Sequence, residues 1–138
     1  MEDVFCRIIK GEIPSTKIYE DDDVLAIMDI SQCTIGHALV MPKAHYECVL
    51  DCPPELTKKV YAVAQRIANA EMKAFNAKGV NILTNAKGAA GQSVPHFHVH
   101  VLPRYGKNDG LDISFSEHDP NFDVIADRAN KIKEALDD

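Results

Sequence analysis

The chain has 138 residues, of which 46% are hydrophobic and 26% are charged, and its formal net charge is −6. This length suits one domain with a full core, and this composition is ordinary for a soluble globular protein. The acidic balance argues against binding nucleic acid or an anionic membrane through a basic surface, although local donors can still hold a small phosphate ligand.

The first half of the chain predicts a short helix followed by strands. Residues 3–9 carry apolar side chains at helical spacing, and Gly11 and Pro14 end that segment. An acidic stretch at residues 20–23 is typical of a solvated turn. The predicted strands are residues 17–19, 24–30 and 37–41, the last stopped by Pro42. Together these runs suggest an antiparallel meander.

The second half begins with a long amphipathic helix that is opened by Pro53 and Pro54 and ends near Phe75. A strand that is buried on both faces is predicted at residues 80–84, and a loop rich in small residues follows at 85–91. A final helix is predicted at residues 123–136, while no role is read for the polar segment 105–122. These elements indicate an α+β domain.

Four cysteines and the N-terminus indicate the compartment. Cys6, Cys33, Cys48 and Cys52 lack a paired C-x-x-C spacing, and the N-terminus has no secretory signal. No apolar run approaches membrane-spanning length. We therefore expect reduced thiols in a cytoplasmic protein.

Three histidines alternate with apolar residues between Gly91 and Arg104. Successive side chains of a strand point to opposite faces, so the predicted strand places His96, His98 and His100 on one face. The opposite face is predicted to bury Phe97, Val99, Val101 and Leu102. Neighbouring imidazoles would lie about 7 Å apart, which suits one nucleophile with helpers better than one metal held by all three.

Other interpretations of these histidines stay open. A histidine can be structural, and H-x-H on a strand is a common pair of metal ligands. However, an imidazole has an ordinary pKa of about 6.5, and its neutral ring nitrogen is a competent nucleophile toward phosphorus. Three histidines on one face, preceded by a Gly-Gln-Ser turn, favour an active site.

The heptapeptide of residues 96–102, HFHVHVL, resembles the His-φ-His-φ-His-φ-φ signature of the histidine triad (HIT) family, in which φ is apolar. The segments GEIPSTKIYEDDDVLAIMDI, GHALVMPKAHY and NAKGAAGQSV also resemble family segments in family order. The resemblance implies a HIT-like antiparallel sheet with one long helix and a C-terminal helix. It also implies a single HIT domain over residues 1–138, with a motif-bearing core at about 3–104, an extension at 105–138, and a homodimer paired across the long helix and a strand.

The resemblance implies a role for each residue of the triad. His98 would attack the α-phosphorus of a nucleotide and form a nucleotidyl-histidine that water then resolves. Its other ring nitrogen would donate to a backbone carbonyl, His100 would hydrogen-bond the α-phosphate oxygens, and His96 would support its neighbours. Ser93 would help to protonate the leaving group.

The same resemblance implies a set of nucleotide-binding residues. Asp29 would accept both ribose hydroxyls, since one carboxylate has two oxygens for two vicinal donors. The alternative is a surface carboxylate at a strand end. His37 either caps the site or is structural. The base pocket would be lined by Ile27, Ile30 and Leu39, and the phosphates would be bordered by Asn85, Gly91 and Gln92.

One departure from the family pattern concerns the residues that would bind a metal ion. Many bacterial members carry an N-terminal C-x-x-C that binds zinc together with two histidines, whereas this chain has Asp3-x-x-Cys6. Because Asp can also bind zinc, a structural site formed by Asp3, Cys6, His45 and His96 remains open. No other cofactor is implied.

A second departure concerns the substrate. Gln92-Ser93 resembles the nucleoside phosphoramidase branch, whereas HVHVLPR resembles the dinucleoside polyphosphate hydrolase branch, and the chain has no Trp. The leading hypothesis is hydrolysis or transfer at the α-phosphate of purine nucleoside phosphoramidates or related conjugates. The alternatives are a dinucleoside polyphosphate hydrolase, a zinc hydrolase that uses two triad histidines, and a non-catalytic nucleotide-binding regulatory protein.

Overall fold

Five antiparallel strands form one sheet in the computed structural model, which describes residues 2–136. The order across the sheet is β1-β2-β3-β5-β4. The strands are β1 (Lys17–Glu20), β2 (Val24–Met28), β3 (Ala38–Pro42), β4 (Gly79–Leu83) and β5 (Val99–Arg104). The helices are α1 (Val4–Ile9), α2 (Pro54–Ala74) and α3 (Phe122–Leu136), with a 3₁₀ turn at Gly88–Ala90. The predicted α+β fold with a long helix and a C-terminal helix is confirmed.

The main core lies between α2 and one face of the sheet. Apolar residues recur every three or four positions along α2, so one stripe of that helix faces the strands. Val60 and Ala64 of this stripe are fully buried against Phe97, Val99 and Val101. The apolar residues of the triad segment therefore belong to the core, as predicted.

A smaller core covers the opposite face of the sheet. The side chain of Asp3 accepts a hydrogen bond of 2.8 Å from the amide of Cys6, which caps α1 at its N-terminus. Phe5 and Ile8 of α1 then pack against residues of β2 and β3. Because α1 has only six residues, it covers part of this face and leaves a cavity beside the strands.

Several predicted boundaries differ from the structure. β2 ends at Met28, so Asp29 lies just beyond the strand, and Pro42 is the last residue of β3 rather than its stop. β4 forms an edge of the sheet and is half-buried, not buried on both faces. Leu102 is buried outside the cluster that faces α2, whereas the prediction placed it with Val101.

The most consequential difference is at the triad. β5 begins at Val99, so His100 lies in the strand while His96 and His98 precede it. The segment leaves the ladder because Pro95 has no amide proton and because the amide of Phe97 donates instead to the carbonyl of Tyr46, at 2.7 Å. The prediction that one regular strand carries all three histidines is therefore wrong.

The chain beyond β5 extends away from the sheet. None of the residues of α3 is buried, and none belongs to either core. All four cysteines are free thiols. Among residues 2–136, no helix combines the length and the apolar character that crossing a bilayer requires.

Candidate active site

A cavity of about 300 Å³ opens between α1, the ends of β2 and β3, and the segment that leads into β5. One side of it is apolar and includes Ile8, Ile27 and Leu39. Its polar side is formed by Asp29, Ser93, His98 and His100. A cavity with an apolar wall and a cluster of polar groups suits a ligand that has an apolar body and a polar end.

His98 is held in one orientation and one tautomer. Its Nδ1 donates a hydrogen bond of 2.6 Å to the backbone carbonyl of His96, and Phe5 packs edge-on at 4.9 Å between ring centroids. The hydroxyl of Thr84 donates to the backbone carbonyl of His98, at 2.6 Å. With Nδ1–H engaged, the lone pair of this ring lies on Nε2, and the ring lines the cavity.

The electrostatic surroundings keep His98 neutral. Burial lowers the pKa of this imidazole, and the hydrogen bond to the carbonyl of His96 offsets only part of that effect. The ring therefore carries no proton on Nε2 at neutral pH. A neutral imidazole with a free lone pair is the form that a nucleophile requires.

His100 has the complementary tautomer, which a chain of hydrogen bonds determines. The amide of Cys33 donates to Nδ1 of His37 at 3.2 Å, so the proton of the His37 ring lies on Nε2. This Nε2–H faces Nδ1 of His100 at 3.0 Å and donates to it. The proton of His100 therefore lies on Nε2, which leaves this ring as a hydrogen-bond donor in the cavity.

Burial also keeps both of these rings neutral. It lowers the pKa of His37. Burial and, to a lesser degree, the neighbouring rings of His98 and His37 together lower the pKa of His100 to about 4. The cavity thus contains a lone pair on His98 and an N–H donor on His100, with ring centroids 5.0 Å apart. This separation is shorter than the spacing of about 7 Å expected for a regular strand.

Asp29 is a constrained residue of the cavity. Its Oδ1 accepts a hydrogen bond of 2.7 Å from the amide of Ser31, and its Oδ2 lies 3.6 Å from Nε2 of His37. Only 19% of its side chain is exposed, which argues against a free surface carboxylate. Of the predicted base-pocket residues, Ile27 and Leu39 are buried in the wall, whereas Ile30 is 98% exposed at the rim.

Ser93, predicted at the leaving group, lines this cavity, whereas the three residues predicted beside the phosphates do not. The side-chain amide of Gln92 donates to the carbonyls of Glu47 and Val94 and accepts from the amide of Lys87, so it organises the loop. Gln92 and Ser93 border a neighbouring cavity of about 260 Å³. Asn85 and Gly91 lie next to each other in the same loop. Contact of Asn85, Gly91 and Gln92 with phosphate stays a prediction.

His96 belongs to a different group of side chains. It is fully buried, and its Nε2 donates to the carbonyl of Pro42 at 2.9 Å. Its Nδ1 lies 3.3 Å from Oδ2 of Asp3 and 3.7 Å from Sγ of Cys6. Nδ1 of His45 lies 3.0 Å from the same Asp3 oxygen and 3.4 Å from Sγ of Cys6.

These four donors fit a zinc ion. Zinc bonds of about 2.0–2.3 Å to N, O and S ligands require ligand atoms about 3.3–3.7 Å apart in a tetrahedron, close to the separations above. All four donor atoms lie within 4.8 Å of one another. Oδ2 of Asp3 is buried without a hydrogen-bond donor, as expected for an atom that binds a cation.

A second group of possible metal ligands contains Asp29, His37 and His100. Metal binding through Nε2 of His37 would move the proton of that ring to Nδ1, where the amide proton of Cys33 already points. Two donors would then face each other. The hydrogen-bonded arrangement is therefore the better description of this group.

Sequence reasoning missed several contributors to the site. The backbone donors and acceptors of Cys33, Pro42 and His96 carry no side-chain signal, and Thr84 follows a strand without any motif. The sequence alone leaves the role of His37 open, although its position directly before an apolar strand is a signal. These groups decide which nitrogen of each imidazole is available.

Comparisons with known proteins agree with this geometry. The HIT domain model matches residues 10–107. A HIT family protein of Bacillus subtilis, known from its crystal structure, is 43% identical, with a TM-score of 0.92 over 97% of this chain and 96% of that chain. The adenosine 5'-monophosphoramidase of Saccharomyces cerevisiae is 36% identical over 88% of this chain and 75% of its own length.

A third relative bears on the metal ligands. The crystal structure of a zinc-bound histidine triad family protein from Mycobacterium smegmatis is 40% identical, with a TM-score of 0.74 over 97% of this chain and 94% of that chain. Zinc is therefore present in at least one structure of similar fold.

Proposed function

Because the chain belongs to the HIT family, we propose that it hydrolyses nucleotides that are joined through their α-phosphate to an amine or a related leaving group. Purine nucleoside phosphoramidates are the leading substrate class. The observation that carries the proposal is the pairing of tautomers in the cavity: His98 offers a lone pair, and His100 offers an N–H donor. The relative named as an adenosine 5'-monophosphoramidase supports this class.

The proposed reaction begins when Nε2 of His98 attacks the α-phosphorus. A bond forms between this nitrogen and phosphorus as the bond to the leaving group breaks, and Ser93 helps to deliver a proton to the leaving atom. Nε2–H of His100 stabilises the charge that develops on the α-phosphate oxygens. Water then attacks the phosphorus, which releases the nucleoside monophosphate and regenerates the neutral imidazole.

The remaining cavity groups would hold the nucleoside. Asp29 would accept the two ribose hydroxyls, and the base would lie against Ile27 and Leu39, with Ile30 at the rim. The loop of Asn85, Gly91 and Gln92 would border the phosphates. His96 would serve the fold, together with Asp3, Cys6 and His45, by holding a structural zinc ion that ties α1 to the segment before β5.

We propose that the chain acts in the cytoplasm as a homodimer paired across α2 and a sheet strand. The edge position of β4 supports this arrangement, since an edge strand has unpaired backbone groups. Tyr61 on α2 and Ile82 on β4 are each more than one-third exposed, at 37% and 38%.

A direct comparison of substrates tests the proposal. We expect faster turnover, as kcat/KM, of adenosine 5'-phosphoramidate than of a diadenosine polyphosphate, and Asp29→Ala should mainly raise KM. The matched control is a 2',3'-dideoxy substrate, which should lose little affinity on that substitution. The reverse substrate preference would favour the polyphosphate hydrolase, and nucleotide binding without any turnover would favour a regulatory protein.

A further inference from the structure

The loop between β2 and β3, residues 29–37, carries a group of the candidate active site at each of its ends. Asp29, its first residue, lines the cavity, and the ring of His37, its last residue, donates to Nδ1 of His100 at 3.0 Å. The amide of Asp29 donates to the carbonyl of His37 at 3.0 Å, so the two ends of the loop lie side by side. A residue that fixes this loop therefore acts on both groups.

The side chain of Gln32 forms a bridge across this loop. Its Nε2 donates to the carbonyl of His37 at 2.8 Å and to the carbonyl of Asp29, and its Oε1 accepts from the amide of Gly36 at 2.9 Å. A carbonyl only accepts and a backbone amide only donates, so these partners determine the orientation of the side-chain amide. Both N–H groups and the oxygen of this side chain are thus engaged within the loop.

The backbone of Gln32 has an unfavourable conformation for its residue type. Its φ is +38°, in the left-handed region that few residues other than Gly, Asn and Asp adopt. The residue is also exposed, so burial does not hold it there. Backbone strain of this kind persists where the surrounding interactions determine it. A turn alone would form more easily with glycine, so the bridge is the feature that requires the glutamine side chain.

The bridge restrains the carboxylate of Asp29. Gln32 holds the backbone carbonyl of this residue, and the amide of Ser31 holds its Oδ1 at 2.7 Å. The backbone and the side chain of Asp29 are therefore both tied to the residues that follow it. A carboxylate that accepts two vicinal hydroxyls at once needs this restraint, because binding geometry depends on supporting hydrogen bonds around the contacting group.

The bridge restrains His37 as well. The carbonyl of His37 accepts from the side chain of Gln32, and the amide of Cys33, the next residue, donates to Nδ1 of the His37 ring at 3.2 Å. The bridge thus fixes the distance between this amide and the ring. Because the amide keeps the ring proton on Nε2, loss of the bridge would weaken the donor that faces His100.

We propose that Gln32 is a positioning residue, which sets the preference for a ribose over a sugar without 2' and 3' hydroxyls and supports His100 as a donor. The inference rests on the proposed function, in which Asp29 binds the ribose hydroxyls. Gln32 does not line the cavity, so it acts through the two ends of the loop rather than through contact with the substrate.

Calorimetric titration with AMP and with 2',3'-dideoxyadenosine 5'-monophosphate tests the proposal. The variants are Gln32→Asn and Gln32→Gly. Both new residues tolerate a positive φ, but the first is one methylene shorter and the second has no side chain. We expect the preference for AMP, as the ratio of the two dissociation constants, to fall by about threefold or more in both variants. The control is Ile35→Ala, at a residue of the same loop that is 69% exposed, and it should leave the ratio unchanged.

Two further measurements separate positioning from a general loss of structure. In an Asp29→Ala background, Gln32→Gly should weaken AMP binding by no more than about twofold, because its effect passes through Asp29. In the otherwise natural chain, Gln32→Gly should lower kcat on adenosine 5'-phosphoramidate by about threefold to tenfold through His37. Circular dichroism verifies that each variant remains folded.

The titration needs no turnover, so its result is independent of whether the chain hydrolyses the substrate. A natural chain that prefers AMP, with the same preference in Gln32→Gly, would overturn the proposal and leave the proposed function intact. A clear further loss of AMP affinity in the Asp29→Ala background would also overturn it. Equal binding of the two nucleotides by the natural chain would overturn both this proposal and the ribose role of Asp29.

Discussion

His96 and His98 are two residues apart, yet their imidazoles are prepared for opposite tasks. His96 donates from Nε2 to the carbonyl of Pro42, and its Nδ1 faces the carboxylate of Asp3. His98 donates from Nδ1 to the carbonyl of His96, and its Nε2 remains free in the cavity. The backbone carbonyl that accepts from one nitrogen of each ring thus decides where the other nitrogen points.

Residues of one sequence motif can therefore have different roles. One ring joins a group that has the separations and the donor types of a zinc site. The other lies beside a second neutral imidazole in a cavity whose wall is mostly apolar. The possible zinc ligands around His96 and the cavity side chains around His98 meet at the segment before β5. Changing one group at a time therefore tests whether protein stability and catalysis can be altered independently.

The largest effect is expected from His98→Asn. This substitution removes the ring nitrogen that is proposed to attack the phosphorus, so we expect kcat on a nucleoside phosphoramidate to fall by about a thousandfold or more. The same change at the exposed His118 is the control and should leave kcat unaltered. A variant that keeps more than a tenth of the natural rate would rule out a covalent role for this ring.

The next largest effect is expected from a change to the possible zinc ligands, which are Asp3, Cys6, His45 and His96. Cys6→Ala removes one of its four donors, and we expect loss of bound zinc together with a fall of several kcal/mol in the stability of the zinc-loaded protein. Elemental analysis and the midpoint of thermal unfolding measure the two quantities. Cys33→Ala, a half-buried cysteine outside the group, is the control.

Removal of zinc from the natural chain tests whether the zinc ligands and the histidines of the cavity act independently. At a temperature where the protein stays folded, removal of zinc by a chelator should leave kcat within a few fold. If chelation abolished turnover at once in a folded protein, a zinc hydrolase would replace the histidine nucleophile as the better account.

A smaller effect is expected at His37, which fixes the tautomer of His100. His37→Leu removes the donor to Nδ1 of His100, so we expect kcat to fall about tenfold to a hundredfold with little change in KM. His37→Gln, whose amide nitrogen can replace Nε2, should recover part of the loss. Equal losses in both variants would indicate a purely structural residue.

The smallest effect is expected at a buried acid that belongs neither to the possible zinc ligands nor to the histidines of the cavity. Burial raises the pKa of Glu71 to about 8, and one of its carboxyl oxygens has no hydrogen-bond partner. Between pH 4.5 and 8 the folded state holds a proton that the unfolded state releases, so stability falls as the pH rises across this window.

Glu71→Gln should abolish this pH dependence. We expect the variant to be more stable than the natural chain by about 1–3 kcal/mol near pH 8, measured by urea unfolding. Glu55→Gln, on the exposed side of the same helix, is the control and should change nothing. A stability profile of the natural chain that is flat from pH 5 to 8 would contradict the raised pKa.

The sequence was sufficient for those features that depend on periodicity. The apolar stripe of α2 and the alternation of Phe97, Val99 and Val101 correctly predicted the main core. The triad motif likewise led to His98 and His100 at the cavity, although not to the separate position of His96. Each of these features repeats along the chain, so local pattern contains the necessary information.

Features that depend on backbone acceptors could not be predicted. Nothing in the residue types before Val99 shows that the amide of Phe97 leaves the ladder for the carbonyl of Tyr46. The tautomer of His100 depends on the amide of Cys33, which lies 67 residues away in sequence and becomes a neighbour only through the pairing of β3 with β5. The exposure of α3 was also hidden, since an amphipathic pattern does not say which molecule covers it.

The most direct test of the account is mass spectrometry of a reaction quenched in alkali during turnover of adenosine 5'-phosphoramidate. Fragmentation of the peptide that contains His96, His98 and His100 locates any attached nucleotide. The account predicts one adenylyl group on His98, which is absent from the His98→Asn variant. Continued turnover with no adduct, or an adduct on His96 or His100 instead, would contradict it.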